Sequence, residues 1–251
     1  MLIFLGVIVY LLKISSRKET KLLETLPVED ILRLLEDHVD FYKAIQTPER
    51  KETFKNRVIR FIQNVRFTDV DTARHTLLDE VLIASSAIIP LIAYPDWEYQ
   101  NIREILLYDD HFNLDYQVNE KNHIMGMVGD GAMNDTMILS LRALREGFEK
   151  KDGSQTALHE FVHLIDKADG VADGVPEYLI PKSLIEPWLR HIRAGIIDIK
   201  QNDSDINPYA ATNEQEFFAV ISEYFFEKPQ LLQRHHPQLY EMLNRMFKRY
   251  P

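Results

Sequence analysis

No cysteine occurs in the 251 residues, which excludes disulfides, thiolate zinc sites, iron–sulfur clusters and a cysteine nucleophile. A metal site in this chain must draw on His, Asp and Glu. Basic charge is scarce too. The 29 Lys and Arg against 39 Asp and Glu leave a formal net charge of −10, the wrong sign for a phosphate-binding surface, and no large basic cluster stands out. A nucleic-acid partner is therefore not expected. The only glycine cluster, residues 124–131, lacks the Lys and Ser/Thr of a phosphate-cradling loop and reads as strand and turn. Internal repeats and low-complexity segments are absent.

Long apolar runs are also missing, with one partial exception. Residues 1–14 are almost wholly apolar, and Lys13, Arg17 and Lys18 lie at or just beyond the end of the run. As a helix about 14 residues extend roughly 21 Å, short of the roughly 20 residues that comfortably span a bilayer. The run has neither the preceding positive charge nor the following small-residue site of a secretory signal. Basic residues on its C-terminal side place the rest of the chain in the cytoplasm by the positive-inside rule. Residues 1–20 are accordingly expected to be an apolar segment that anchors the chain to the inner membrane through residues 1–14. The alternative is a soluble cytoplasmic protein with a packed terminal helix. Residues 21–251 are expected to form a single domain, since 45% hydrophobic and 27% charged residues are ordinary for a folded domain.

Apolar spacings of three and four predict helix over residues 26–63, interrupted at Pro48, with a second stretch at 51–65 and a third, buried on most sides, at 71–93. Residues 104–108 and 113–118 read as strands flanking a turn at 109–111, and 137–140 as a further strand before a helix over 141–148. Two more helices are predicted at 155–168 and 214–226. The stretch between them, with Pro176, Pro181, Pro187 and Pro208, reads as loop.

The first of these helices carries His159-Glu160-Phe161-Val162-His163, a His-Glu-x-x-His run of the zinc-peptidase type. With nine His in the chain, such a pattern arises by chance in only about three of a hundred chains of this composition. No Gly or Pro falls within 155–168, Ser154 can cap its start, and Gly170 sits where a left-handed residue ends a helix. Leu158, Phe161, Val162 and Ile165 form an apolar stripe, while His159, His163 and Asp166 share a neighbouring face. A separation of four residues, about 6 Å along the axis, lets both imidazoles reach one ion. Glu160, rotated by about 100°, is placed to meet a metal-bound water as general base rather than to chelate.

A catalytic zinc needs a third protein ligand. Glu216 and Glu223 share a stripe with Ala219 on the helix at 214–226; Asp166, Asp169, Glu177 and His191 are the other options. Asp166 also suits a carboxylate that orients an imidazole, and Glu216 suits a capping box with Asn213 unless Thr212 and Gln215 make that box. Glu214 and Glu227 read as solvated charges. A structural zinc site is disfavoured because it normally has four protein ligands.

The motif with Leu164-Ile165-Asp166, then Asp173-Gly174-Val175-Pro176, Tyr209-Ala210-Ala211-Thr212-Asn213 and Glu216-Phe217-Phe218-Ala219-Val220, resembles the Mlc titration factor A family of zinc-dependent peptidases. The likeness covers about residues 55–240 and is most specific in the last hundred. The resemblance implies a mainly helical α+β, zincin-like domain with a small, mostly antiparallel sheet, similar in fold to the catalytic domain of anthrax lethal factor. It implies a gluzincin-like site with one zinc on His159, His163 and Glu216, Glu160 catalytic, and Tyr209 donating to the oxyanion of the tetrahedral intermediate. The activity implied is hydrolysis of a peptide or protein substrate, with aminopeptidase-like and internal cleavage both open. The strand at 137–140, if an edge beside the metal helix, would align an extended peptide. The alternative the resemblance carries is a regulatory protein that sequesters a transcriptional repressor. Val162, Leu164-Ile165 and the apolar N-terminus depart from the family pattern; the first three touch no expected ligand.

Overall fold

Helical spacing of apolar residues dominates this chain, and in the computed structural model it resolves into helices packed around one small sheet. The structure describes residues 27–112, 124–129, 133–150 and 155–247. In chain order these form helices α1 (Val28–His38), α2 (Asp40–Ala44) and α3 (Pro48–Asn64), strand β1 (Arg66–Asp69), helix α4 (Leu77–Ile88) and strands β2 (Glu104–Tyr108), β3 (Gly126–Val128) and β4 (Thr136–Ser140). Helices α5 (Leu141–Lys150), α6 (Thr156–Asp166), α7 (Lys182–Lys200), α8 (Glu214–Glu227), α9 (Pro229–His235) and α10 (Pro237–Phe247) follow.

Local chemistry sets the boundaries. Pro48 opens α3 at a position where its missing N–H is harmless, behind a Thr47 side chain that accepts from Arg50 N at 3.4 Å. Helix α4 begins later than its apolar pattern predicts. Asp71 takes a left-handed φ of 53°, and the Thr76–Asp79 capping box starts the helix at Leu77. From Val81 to Ile88 every residue of α4 is buried, as the sequence leads one to expect for a helix covered on most sides. Arg145 of α5 holds the buried Asp79 with two hydrogen bonds of 2.8 and 2.9 Å, tying the two helices together.

The domain is mainly helical α+β as expected, but its sheet is mixed rather than mostly antiparallel. The strand order is β1-β2-β4-β3, with β1–β2 and β2–β4 parallel and only β3–β4 antiparallel. Parallel neighbours need long crossovers. One is supplied by α4 between β1 and β2, and another by the chain between β2 and β4. The expected strand at 113–118 lies outside the described residues. Strand β4 is interior, not an edge, which its run of buried Met137, Ile138, Leu139 and Ser140 reflects. Among the described residues β3 is the edge on that side.

The stretch read as loop contains the 19-residue α7. Pro187 is its sixth residue, so it forfeits one hydrogen bond, to the carbonyl of Ser183 in the first turn. Trp188, Ile192, Gly195 and Ile199 then bury a continuous face. Helix α6 lies at the centre of the arrangement, packed against α4, α8 and β3. No helix among the described residues is long and apolar enough to cross a membrane, and the expected anchor at residues 1–14 lies outside them.

His75, between β1 and α4, bonds Asp69 at 2.7 Å through Nδ1 and Glu80 at 3.1 Å through Nε2. The Glu80 bond raises its pKa to about 9, against an opposing effect of burial and with help from Asp69. A free imidazole titrates near 6.5, so the protonated ring stabilises the fold fully below about pH 6.5 and loses that contribution as pH rises through about 9. Urea unfolding across pH 6–9.5 should show this decline, on the order of 1–2 kcal/mol after solvent screening. His75→Asn should flatten it.

Candidate metal centre

Helix α6 presents its two imidazoles as the four-residue spacing predicts. The 3-10 turn Lys167–Asp169 and Gly170, at φ 97°, end the helix in the left-handed conformation expected of that glycine. Leu158, Phe161, Val162 and Ile165 are buried. That face fixes the helix, so His159 and His163 turn together toward α8. Their Nε2 atoms stand 3.0 Å apart. Glu216 Oε2 lies 3.0 Å from Nε2 of His159 and 3.4 Å from Nε2 of His163. Ligands about a tetrahedral zinc with bonds of roughly 2.05 Å are about 3.3 Å apart, so these donors have the spacing for one shared ion. His159, His163 and Glu216 form the only such group of three found among the described residues.

Two local features leave Glu216 available. Asn213 caps α8 with its side-chain oxygen on the backbone N–H of Glu216, at 2.8 Å, and the Glu216 carboxylate turns to the imidazoles instead of back to the cap. The alternative Thr212–Gln215 box does not form, because the Gln215 amide donates to Ala172 O. Burial would raise the Glu216 pKa, but hydrogen bonds from His159 and His163 hold it down at about 2. Burial likewise opposes charge on His159, yet its bonds to Glu216 and Glu223 raise it to about 10.

Glu223 is the feature that sequence reasoning placed least well. It is a buried carboxylate one step behind the donor triangle: Oε1 lies 2.7 Å from Nδ1 of His159, and Oε2 accepts from the backbone N–H of Gln155 at 2.8 Å. It thereby directs the Nε2 lone pair inward and satisfies a donor at the start of α6. That start has no side-chain cap from Gln155, and Ser154 lies outside the described residues. The seven-residue spacing from Glu216 was the available signal, because it puts both carboxylates on one face. Asp166 does not take this role. Its Oδ2 accepts from Gly174 N at 2.9 Å, and burial pushes its pKa up to about 7. Asp169, Glu177 and His191 stay outside the triangle. Glu214 is exposed, whereas Glu227 is partly buried.

Glu160 is buried, 6% exposed, and burial raises its pKa against the opposing pull of His159 and His163. Strand β3 passes directly over it: a Cβ on Gly126 would come within 2.8 Å of Glu160 Cγ and Oε1 and of Thr156 Cγ2. Tyr209, on the 3-10 turn Pro208–Ala211, is 54% exposed, with its ring centroid 6.1 Å from that of His159. Burial and the charges of Glu216 and Glu160 raise its pKa.

Paired imidazoles on one helix, a buried carboxylate between them in sequence and a second carboxylate from another helix make an arrangement that could hold a metal ion, and sequence similarity places the chain among metallopeptidases. The chain belongs to the glucose-regulated metallo-peptidase M90 family, whose sequence profile matches residues 14–248. It is 30% identical over 230 residues to the uncharacterized protein slr2042 of Synechocystis, covering 85% of this chain and 82% of that protein. It is 28% identical over 206 residues to Mlc titration factor A of Pectobacterium atrosepticum, covering 76% and 72%. Over 218 residues it is 25% identical to Mlc titration factor A of Klebsiella pneumoniae, covering 82% and 81%.

Removing the carboxylate behind His159 should loosen the centre without removing a donor. Glu223→Ala is expected to weaken zinc binding by about 10–100-fold, measured by competition with a chromophoric chelator. Unchanged affinity would show that His159 needs no such support.

Proposed function

We propose that the protein is a zinc-dependent peptidase with His159, His163 and Glu216 as metal ligands and Glu160 as general base. The observation that carries this reading is the donor triangle of 3.0, 3.0 and 3.4 Å beside a buried carboxylate. Two imidazole nitrogens and one carboxylate oxygen suit zinc and leave a position open for water. Zinc bound there supplies Lewis acidity toward a peptide carbonyl and makes the attacking water more acidic.

The chain's own groups do the rest. Glu160 accepts the water proton as the oxygen attacks the carbonyl carbon, then delivers it to the departing amine. Burial raises its pKa, which makes it a better proton acceptor than a solvated carboxylate. Tyr209 donates its phenol hydrogen to the developing oxyanion. Alignment of the substrate falls to β3 rather than to the interior strand β4. Ser140 N donates to Met125 O and Gly129 N to Thr136 O, so the odd-numbered residues of β3 face β4. Gly126 and Val128 turn their backbone groups to the other side, where an extended peptide can pair with them.

A second reading comes from the relatives named Mlc titration factor A: a regulatory role in which the chain sequesters a transcriptional repressor. Both roles can share one surface. The buried Glu160 between the two His favours hydrolysis, because capture alone needs no base there.

Incubating the zinc-loaded chain with a peptide library should yield chelator-sensitive cleavage, with product termini separating amino-terminal from internal attack. Glu160→Gln should lower kcat/KM by about a thousandfold with zinc content unchanged, while Glu216→Ala should bind zinc far more weakly, through the His pair alone. A fully active Glu160→Gln protein overturns the mechanism. Gly126→Ala, which drives a methyl group into Glu160, should retain zinc and lose roughly 10–100-fold in kcat.

A further inference from the structure

We infer that the turn at Gly174, clamped by Asp166 and Trp188, positions Glu216 and so sets the shape of the metal centre. The inference rests on the metallopeptidase reading and extends it to residues that touch neither metal nor substrate. The two imidazoles share one helix, so α6 sets their spacing, and Glu223 near the far end of α8 braces His159 from behind. Glu216 arrives from α8, and its distance to them depends on how the first turn of α8 is seated.

The Gly174 turn provides that seat. Its N–H donates to Asp166 Oδ2 at 2.9 Å and its carbonyl accepts from Trp188 Nε1 at 2.7 Å, both bonds buried. One peptide segment is thus tied to the end of the metal helix α6 and to α7. Gly174 has a left-handed φ of 77°, and a Cβ there would lie 2.4 Å from Glu214 O and 2.7 Å from Glu214 C. The turn is therefore pressed against the backbone of the first residue of α8, two residues before Glu216. Backbone cannot yield as the tip of a side chain can.

Neighbouring contacts lock the seat from both sides. Gln215 reaches back to Ala172 O, and Asp173 Oδ1 accepts from Val175 N at 3.0 Å to hold the turn's shape. The Trp188 ring is fully buried and packs on Phe217 and Phe218, with centroids 6.3 and 5.8 Å away. These are the two residues that follow Glu216. Trp188 thus holds the turn with its ring nitrogen and packs its ring against α8. An added methyl at Gly174 must shift the turn or the first turn of α8, and either shift moves the Glu216 carboxylate relative to the His pair.

The test is zinc affinity of the full chain by chelator competition, with far-UV circular dichroism to monitor folding. Gly174→Ala, Trp188→Phe and Asp166→Ala should each weaken binding, with Gly174→Ala losing about 10–100-fold while helix content stays. Asp166→Asn keeps an oxygen for Gly174 N–H and should restore most of the affinity. In a Glu216→Ala background, where the His pair alone binds, Gly174→Ala should change affinity less than twofold. An equal loss in that background, or wild-type affinity in Gly174→Ala, overturns the inference. If Gly174→Ala does not fold, the Asp166→Ala and Asp166→Asn pair decides: equal affinities overturn the inference, and rescue by Asn supports it. A wild-type chain that binds no zinc sinks the reading of the centre and this inference with it, whereas failure of the variants alone leaves that reading standing.

Discussion

Three electron-rich atoms, Nε2 of His159, Nε2 of His163 and Oε2 of Glu216, are held 3.0 to 3.4 Å apart. Lone pairs at that separation repel unless a proton or a cation lies among them. The surrounding architecture keeps them there. The buried stripe of α6 turns both imidazoles one way, the Asn213 cap starts α8 where its carboxylate can reach them, and Glu223 anchors the far side of His159. Folding energy thus holds together donors that their own repulsion would spread apart. Binding of a cation should return that energy as added stability of the native state.

The parts legible in the sequence are those decided within one or two helical turns. The His159–His163 spacing, the glycine stop at Gly170 and the all-round burial of α4 follow from local pattern, and the structure shows each of them. The parts that were not legible depend on distant partners. A capping-box pattern at Asn213 and Glu216 could not reveal that Asn213 would cap the helix alone. Helix α7 was hidden by Pro187, whose effect depends on its distance from a helix start that no strong cap marks.

The sheet shows the same division. Continuous and alternating apolar runs located β2 and β4, but partnership within a sheet is non-local, and the mostly antiparallel sheet that the resemblance implied gives way to parallel pairing of β2 with β1 and β4. Gly126 carried no pattern signal at all. Its requirement appears only when β3 is laid across Glu160, because the constraint is the absence of a side chain at a three-dimensional crossing.

The edge strand is also short. In the proposed alignment role, with only Gly126 and Val128 of its described residues turned outward, β3 would read about three or four residues of a partner strand by backbone pairing, and would read their conformation more than their identity. A folded protein whose strands are already paired offers nothing to such a rail. Selection would then fall on flexible tails, unpaired edges and locally melted segments, so that a target's susceptibility would be governed by its own local unfolding equilibrium as much as by its sequence.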